Sequence, residues 1–322
     1  MKRNRNIFFP PVPDPRIHTH LNEDPDKYTC TGNCRRWQPL QEGDDGGSLK
    51  QQEFVTPYIG ETAKTYLREP TLTLVDPEYD LYEESLLVIE RVKETVTDVY
   101  KQDAVDVMDD KLDVRRIVQK AMEVQLVEPG LLNFQDYLLY LVGISAVEND
   151  GVIQAWHEKR VHDLVRPTTV IKRWDNDVLY TYGGDRKLDV PQYISARDFE
   201  AYIRVMPHPE FPSGSSCLCT TYYEFTDKYT TEVYNMTLQD LEWSPKNAAR
   251  TYVLENMEEL RDVCGESRLW GGMHYTASIE AGEQICSGLD DLAFDWVTFL
   301  ANNATYHSPH YKSDQIGTCV MN

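Results

Sequence analysis

The sequence predicts a mostly α-helical fold, a helix bundle with long loops. From about residue 80 onward, apolar residues recur with the helical period, whereas strand patterns are few. The chain has 322 residues, of which 41% are hydrophobic and 26% charged, so it can bury a real core as globular proteins do. We find no internal repeat and no low-complexity tract.

Each helical segment has its own signal. Leu86, Leu87 and Val92 share one face of the first segment, Pro129-Gly130 ends the second, and a later segment stops before Pro167. The predicted helices are residues 86–99, 114–124, 131–147, 152–165, about 246–263 and about 275–302. Between the fourth and fifth of these, the run of polar and glycine residues over 172–195 predicts a loop or a short hairpin.

The N-terminal part has a different composition from the rest. Residues 1–58 are rich in Pro, Gly, Asp and other polar residues, and Asp44 to Gly47 form a turn sequence. We therefore expect residues 1–60 to form an extended arm. Residues 61–322 would then form the helical domain, with its functional pocket between residues 156 and 280.

Charge and hydropathy exclude some classes of function. The net charge is −21 and the pI about 4.7, which argues against non-specific binding to nucleic acid or to anionic membranes. No run of about 18 apolar residues exists, so we expect no transmembrane helix. The apolar stretch that starts at Ile7 ends at Pro10, too short for the core of a signal peptide.

The seven cysteines leave the redox state of the chain open. Cys30 and Cys34 flank a glycine-containing loop and could pair, whereas Cys217 and Cys219 are too close together to indicate a disulfide framework. A zinc site would need a second Cys/His pair near one of these, and the sequence offers none. Glycosylation sequons at Asn235 and Asn303 favour secretion.

Two separated segments each contain basic residues at a spacing that would bring them to one site. Lys159 and Arg166 are seven residues apart, two helical turns, which predicts that both face one side of a helix ended by Pro167. Further along, Arg268 precedes His274 by six positions, and glycines between them let the backbone bring both onto one ligand. Taken singly, each residue could be ordinary: the basic pair a solvated helix face, the histidine a structural one.

A third segment predicts an anion site. Pro212, Ser213 and Gly214 form a turn that opens a helix, and a helix start offers free backbone N–H groups and the positive end of the helix dipole. This turn alone could be only a helix start. The three segments together predict a pocket for an oxyanion, a local basic island on an acidic protein.

The three segments resemble the vanadium-dependent haloperoxidases and the related type-2 phosphatidate-phosphatase superfamily. The shared pattern is Lys-x6-Arg-Pro, then Pro-Ser-Gly-His, then Ser-Arg-x5-His, and the resemblance covers about residues 137–302. The first and third blocks match fully. In the second block, Ser215 stands where the family has histidine.

Three further positions indicate which branch of the superfamily the chain resembles, the haloperoxidases or the phosphatases. Trp156 and His208 stand where haloperoxidases place a tryptophan beside vanadate and a histidine linked to halide preference, which makes both candidates for a halide site. Ser278 stands where the phosphatases have an aspartate that orients their nucleophilic histidine, which disfavours phosphatase chemistry. His157 and His162 are interpreted as surface residues or as outer neighbours of the pocket.

The resemblance implies a role for each matched residue. His274 would be the single protein ligand to vanadium, with an outer partner on its other nitrogen that the sequence does not identify. Lys159 would bond an oxygen of the anion and polarise peroxide. The remaining donors to vanadate would be Arg166, Ser213, Gly214 and Arg268. The expected cofactor is vanadate, with no haem.

The implied reaction is oxidation of bromide or iodide by hydrogen peroxide to hypohalous acid, which halogenates a small organic substrate. A serine at 215 cannot titrate near neutral pH as the histidine would, so either His208 replaces it or activity is weak or altered. The alternatives are an acid-phosphatase-like phosphohydrolase, in which His274 attacks phosphorus, and an oxyanion-binding pseudoenzyme. Relatives with two helical bundles are longer, so the chain is a fragment or completes its pocket as a homodimer.

Overall fold

The computed structural model describes residues 32–43, 49–246 and 249–303, and most of these are helical, which confirms the predicted fold class. Short 3-10 turns lie at Gly32–Arg35 and Ala196–Asp198, and a π-helical turn at Glu123–Val127 extends α4. The α-helices are α1 (Ile59–Thr62), α2 (Leu81–Thr97), α3 (Val99–Asp109), α4 (Lys111–Met122), α5 (Phe134–His162), α6 (Pro167–Lys172), α7 (Gly214–Tyr234), α8 (Met257–Trp270), α9 (Thr276–Cys286) and α10 (Leu289–Asn303).

The strands of the described residues form three antiparallel hairpins: β1 (Gln41–Gly43) with β2 (Leu49–Gln51), β3 (Val178–Thr181) with β4 (Gln192–Ser195), and β5 (Gln239–Trp243) with β6 (Tyr252–Asn256). The second hairpin confirms the expectation for residues 172–195. In the third, Trp243 lies opposite Tyr252 and the two rings stack, with centroids 4.6 Å apart.

The core has two main parts. Helices α5, α7, α8, α9 and α10 pack on one another around the larger cluster of buried apolar side chains. A second cluster joins α2, α6 and the β3–β4 hairpin to the loop before α7. Val165, Met273 and Tyr275 of the second cluster are sequence neighbours of two residues of the site described below, Arg166 and His274. In the described part of the chain no helix is both long and apolar enough to cross a bilayer.

Helix α5 corrects the prediction of two helices at 131–147 and 152–165. It runs unbroken through Gly151, where a Cβ would lie only 3.2 Å from Cys286 Sγ and 3.3 Å from Cys217 Sγ. The Asn-Asp-Gly sequence at 149–151 resembles a turn, but here the glycine serves close packing. The Asp150 carboxylate meanwhile accepts backbone N–H groups of Tyr66 and Leu67.

An extended segment, residues 66–76, follows one face of α5. Four polar side chains spaced four residues apart hold it: Asp150, Gln154, Glu158 and His162. They lie on one face because four residues are about one helical turn. His162 is thus 9% exposed and bound to Asp76 and Glu158, so interpreting it as a surface residue is wrong.

The C-terminal third departs from prediction twice. The segment predicted as a helix from about 246 contains strand β6, and helix α8 begins only at Met257. The single helix predicted over 275–302 is two helices, separated at Gly288, whose φ of +78° ends α9 in a conformation that favours glycine.

Two disulfides tie α7 to its neighbours, Cys217 to Cys286 in α9 and Cys219 to Cys264 in α8. The interpretation that Cys217 and Cys219 give no framework is therefore wrong. Neighbouring cysteines two positions apart on a helix point in different directions, so each can reach a different helix. The proposed Cys30–Cys34 pair involves Cys30, which lies outside the described residues, as do residues 1–31 of the predicted arm.

Candidate active site

Lys159 lies in the last turn of α5 and is completely buried. Its Nζ donates to the backbone carbonyls of Pro209 at 2.8 Å, Glu210 at 3.0 Å and Pro212. All three ammonium hydrogens are thereby used. Lys159 therefore holds the 209–212 loop against α5, and burial together with Arg166 lowers its pKa well below the usual value.

Lys159 and Arg166 do not share a helix, so that prediction is wrong. Helix α5 ends at His162, and Asp163 adopts φ +50° as its C-cap. Arg166 is the N-cap of α6, and Pro167 begins that helix rather than ending α5, a favoured position for proline. The two side chains still converge, because the turn between the helices redirects the chain.

Arg166 joins three segments of the pocket. Its Nε donates to the His208 carbonyl at 3.1 Å and Nη1 to the Met273 carbonyl at 2.8 Å. Nη1 also lies 3.2 Å from His274 Nε2, and Nη2 lies 3.0 Å from His208 Nδ1. Because a guanidinium can only donate, His274 Nε2 must accept from Arg166 and so carries no proton. His208 Nδ1 lies between two partners, the Arg166 guanidinium and, at 3.2 Å, the Pro209 carbonyl oxygen.

His274 and Glu210 form a buried pair. His274 Nδ1 lies 2.9 Å from Glu210 Oε1, with the side chains 3% and 0% exposed. The same oxygen accepts the backbone N–H of Tyr275 at 3.0 Å, so it acts as an acceptor and Nδ1 carries the proton. The tautomer assigned from these bonds leaves Nε2 unprotonated, with its lone pair directed at the Arg166 guanidinium; a metal ligand or a nucleophile needs such an unprotonated nitrogen.

Electrostatics keep His274 neutral. Burial lowers its pKa well below the usual value, and Arg166, Lys159 and Arg268 lower it further. Burial also raises the pKa of Glu210, a rise that Ser278 and Arg166 counter.

Glu210 is the outer partner of His274 that the sequence analysis did not identify. It lies 64 positions before the histidine, in the loop that also contains His208 and Ser213. The sequence does show a carboxylate between a proline-rich turn and a helix start. No neighbouring residue indicates in which direction its side chain points, so the sequence could not identify it as the partner of His274.

Arg268 supplies a third buried cation. Its Nη1 donates to Asp109 Oδ1 at 2.8 Å, and the side chain is 2% exposed. Its Nε is buried and has no hydrogen-bond partner among the described residues. A buried donor without a partner is costly, so this atom is suited to bind an anion.

The start of α7 presents the polar groups that the sequence predicted. Ser213 is the N-cap, and its Oγ accepts the Ser216 N–H at 3.2 Å and the Ser216 hydroxyl at 2.9 Å, which leaves its own hydrogen for a ligand. A Cβ at Gly214 would lie 3.7 Å from Lys159 Cε. Ser215 is in the first turn and partly exposed.

The two halide-site candidates contact each other. The rings of Trp156 and His208 have centroids 4.9 Å apart. Trp156 Nε1 donates to the Val55 carbonyl at 2.9 Å, so the segment after β2 helps to close this side. Burial and the charge of Lys159 lower the pKa of His208 well below its usual value.

Gly272 makes the geometry between Arg268 and His274 possible. Its φ is +75°, and a Cβ there would lie 2.7 Å from Val92 Cγ2. The chain turns at this glycine after α8. His274 therefore precedes α9, which begins at Thr276.

The residues present fit a tetrahedral oxyanion. Lys159, Arg166 and Arg268 bring three buried positive charges to one region, near two carboxylates, those of Glu210 and Asp109. Arg268 Nε, which has no partner among the described residues, and the unprotonated His274 Nε2 suit an anion whose central atom also accepts a nitrogen ligand. The fold and site thus define a helical-bundle protein in which three basic side chains are gathered around a buried histidine.

Comparison with known families agrees with this class. A family model described as the VCPO second helical-bundle domain matches residues 139–303, just over half of the chain. The chain therefore belongs to the vanadium haloperoxidase family. A comparison with curated proteins gave no match.

Solved structures show the same fold. An apo-type bacterial vanadium-dependent chloroperoxidase matches with a TM-score of 0.71 and 22% identity, over 82% of this chain and 63% of its own. Its holo-type form matches with 0.68 and 22%, over 82% and 61%. A structure described as the first bacterial vanadium-dependent iodoperoxidase matches with 0.53 and 16%, over 86% and 63%. The chain thus spans less than two thirds of the length of these neighbours.

Proposed function

We propose that this protein is a vanadate-dependent haloperoxidase that oxidises bromide or iodide with hydrogen peroxide, giving hypohalous acid for halogenation of a small organic substrate. One observation carries the proposal: His274 offers an unprotonated Nε2 beside Arg166 while Glu210 holds its Nδ1 proton. A neutral imidazole among buried cations suits a site that binds an oxyanion and ligates its central atom.

In this proposal each residue of the site has a distinct role. His274 Nε2 would ligate the metal, and Arg166, Arg268, Ser213 and the Gly214 N–H would bind the oxygens. Bound vanadate would supply Lewis-acid activation of peroxide. Lys159 would act on the anion mainly through its electrostatic field, because its ammonium hydrogens are bound to carbonyl groups of the 209–212 loop.

The decisive experiment is a halide-dependent peroxidase assay on apo-protein with and without added vanadate. Vanadate-dependent oxidation of bromide or iodide is expected, and His274→Ala should abolish it together with tight vanadate binding. Vanadate and phosphate should compete for the site in calorimetry because both are tetrahedral oxyanions. Vanadate affinity that is unaltered in excess phosphate would rule out a shared pocket.

A phosphohydrolase remains the second candidate, and one observation favours it. Ser278 disfavoured this chemistry because it replaces an orienting aspartate, but Glu210 supplies an orienting carboxylate from another segment. The His274 Nε2 that could ligate vanadium could equally attack phosphorus. Hydrolysis of an aryl phosphate that is abolished in His274→Ala, without halide oxidation, would select this reading; binding without either reaction would indicate a pseudoenzyme.

We also propose that the chain folds in an oxidising, secretory environment. Disulfides Cys217–Cys286 and Cys219–Cys264 support this, since such bonds persist outside the reducing cytosol. Asn235, the first residue of a sequon, is exposed at the end of α7. A homodimer remains a proposal, and sedimentation measurements would test it.

A further inference from the structure

Ser216, in the first turn of α7, directs both of its hydrogen-bond donors at one atom of Ser213. Ser216 is completely buried. Its backbone N–H donates to Ser213 Oγ at 3.2 Å, and its hydroxyl donates to the same oxygen at 2.9 Å. A serine oxygen accepts through two lone pairs. Ser216 therefore occupies both acceptor positions of the Ser213 hydroxyl.

Two glycines of neighbouring helices enclose the Ser216 side chain. A Cβ at Gly282 of α9 would lie 3.0 Å from Ser216 Cβ, and a Cβ at Gly265 of α8 would lie 3.6 Å from Ser216 Oγ. Such close packing confines a side chain to one arrangement. Within the described part of the chain, the Ser216 hydroxyl donates to Ser213 Oγ alone. The bond between the two serines is thus maintained by the packing of three helices.

The backbone of Ser213 is also held in place. Its N–H donates to the Ser278 carbonyl at 2.8 Å, and its carbonyl accepts the Cys217 N–H at 3.2 Å. A Cβ at Gly282 would lie only 2.3 Å from that carbonyl oxygen, so α9 covers it closely. The Ser213 hydroxyl hydrogen, by contrast, has no acceptor among the residues that the structure describes. This hydrogen is therefore available to a ligand, whereas the lone pairs of the same oxygen are not.

We infer that Ser216 makes Ser213 an obligate donor, so that at this point the pocket takes only a ligand oxygen that carries no hydrogen. The inference rests on the proposed function, in which Ser213 donates to the bound oxyanion. Ser213 has no lone pair to offer, so it cannot accept a hydrogen from an acidic oxygen of the ligand. Any hydrogen on the bound anion must face another part of the site. Ser216 is thus a positioning residue that sets the orientation of the anion and the selectivity for its protonation state.

The test compares two anions of equal charge and similar shape. At about pH 8, sulfate and hydrogen phosphate are both tetrahedral dianions, but only hydrogen phosphate carries a hydrogen. Calorimetric titration of each anion into apo-protein gives the ratio of sulfate affinity to hydrogen phosphate affinity. Ser216→Ala returns a lone pair to Ser213, which can then accept from hydrogen phosphate. The ratio should therefore fall about three- to tenfold, the effect of one hydrogen bond.

A double-mutant cycle shows whether Ser216 acts through Ser213. Adding Ser216→Ala to Ser213→Ala should change the ratio no further, because the oxygen that Ser216 controls is gone. Thr221→Val is the matched control, since it deletes a buried hydroxyl of the same helix that donates to the Leu218 carbonyl at 2.8 Å. This variant should keep the wild-type ratio. Alanine is smaller than serine and favours a helix, so Ser216→Ala is expected to fold.

The outcomes separate this inference from the proposed function. An unchanged ratio in Ser216→Ala overturns the inference, as does an equal change in the Ser213→Ala background or a wild type that binds neither anion. If wild type oxidises no halide with vanadate, the haloperoxidase function fails, and the ratio still decides the role of Ser216 because it needs no turnover. Should Ser216→Ala melt early, Ser213→Ala decides: a lower ratio supports selection at Ser213, and an unchanged one rules it out.

Discussion

Glu210 Oε1 and His274 Nδ1 are joined by a hydrogen bond of 2.9 Å in a fully buried setting, across 64 positions of sequence. This bond decides which nitrogen of the histidine carries the proton. It also couples the loop before α7 to the segment before α9, because the same carboxylate oxygen accepts the Tyr275 N–H. The protonation of His274 therefore depends on a residue outside the matched motifs.

Glu210→Ala should weaken vanadate binding by about 10–100-fold, the usual effect of removing an outer partner of a metal-binding histidine. Glu210→Gln should lose less, because its amide oxygen can still accept the Nδ1 proton. Nitrogen NMR of His274 should show the proton on Nδ1 in wild type and a tautomer mixture in Glu210→Ala.

The matched control is Glu158→Gln, which alters a completely buried glutamate bound to His162 Nε2 at 3.0 Å. It should leave vanadate affinity unchanged. Equal effects of Glu158→Gln and Glu210→Gln would mean that the loss reflects general destabilisation.

Asp109→Asn should lower the stability of the protein and increase the stabilisation that a bound anion gives. Without the carboxylate, the buried Arg268 guanidinium loses its ion-pair partner, which should cost about 1–3 kcal/mol because Asp109 is itself 33% exposed. Added phosphate should then raise the melting temperature more than in wild type. Asp106→Asn, which breaks a surface pair with Arg186, is the control. A phosphate effect no larger than that of the control would contradict the role given to Arg268.

Replacing Cys219 and Cys264 together by serine should lower the free energy of unfolding by about 2–5 kcal/mol. The bond spans 45 positions and ties α7, which contains Ser213, to α8, which contains Arg268. Thermal melts with and without reducing agent measure the loss. Alkylation of either cysteine in the native, non-reduced protein would show that the bond is absent.

Asp163 should make stability depend on pH. Burial raises its pKa from 3.8 to about 6 despite Arg36, so the folded state holds the proton more tightly than the unfolded state. Stability should therefore fall as pH rises from about 4 to 6, by on the order of 1 kcal/mol, since the group is partly exposed and screened.

Asp163→Asn should remove this slope and keep the C-cap, because asparagine also tolerates the φ of +50°. Denaturant unfolding at pH 4, 5, 6 and 7 measures the slope. Asp175→Asn is the control, as Asp175 also has a positive φ and an arginine partner but is exposed. A slope that persists in Asp163→Asn would assign it to other groups.

The sequence alone determined the features that depend on near neighbours. Apolar periodicity predicts the helices, and Pro212-Ser213-Gly214 predicts the start of α7, because caps and helical faces are properties of a few adjacent residues. The spacings around Lys159, Arg166, Arg268 and His274 likewise indicated a shared pocket. Local reasoning failed at Gly151 and at 246–256, where packing of a helix and pairing of a hairpin overrule the local pattern.

Only the tertiary structure decided which distant groups meet. The bond from Arg268 to Asp109 spans 159 positions, and the contact of Lys111 with Cys264 spans 153. No periodicity encodes such pairs, since they depend on how α3, α4, α7 and α8 pack. The tautomer of His274 and the disulfide partners of Cys217 and Cys219 are set in this way, by the close packing of helices whose buried polar atoms must find partners.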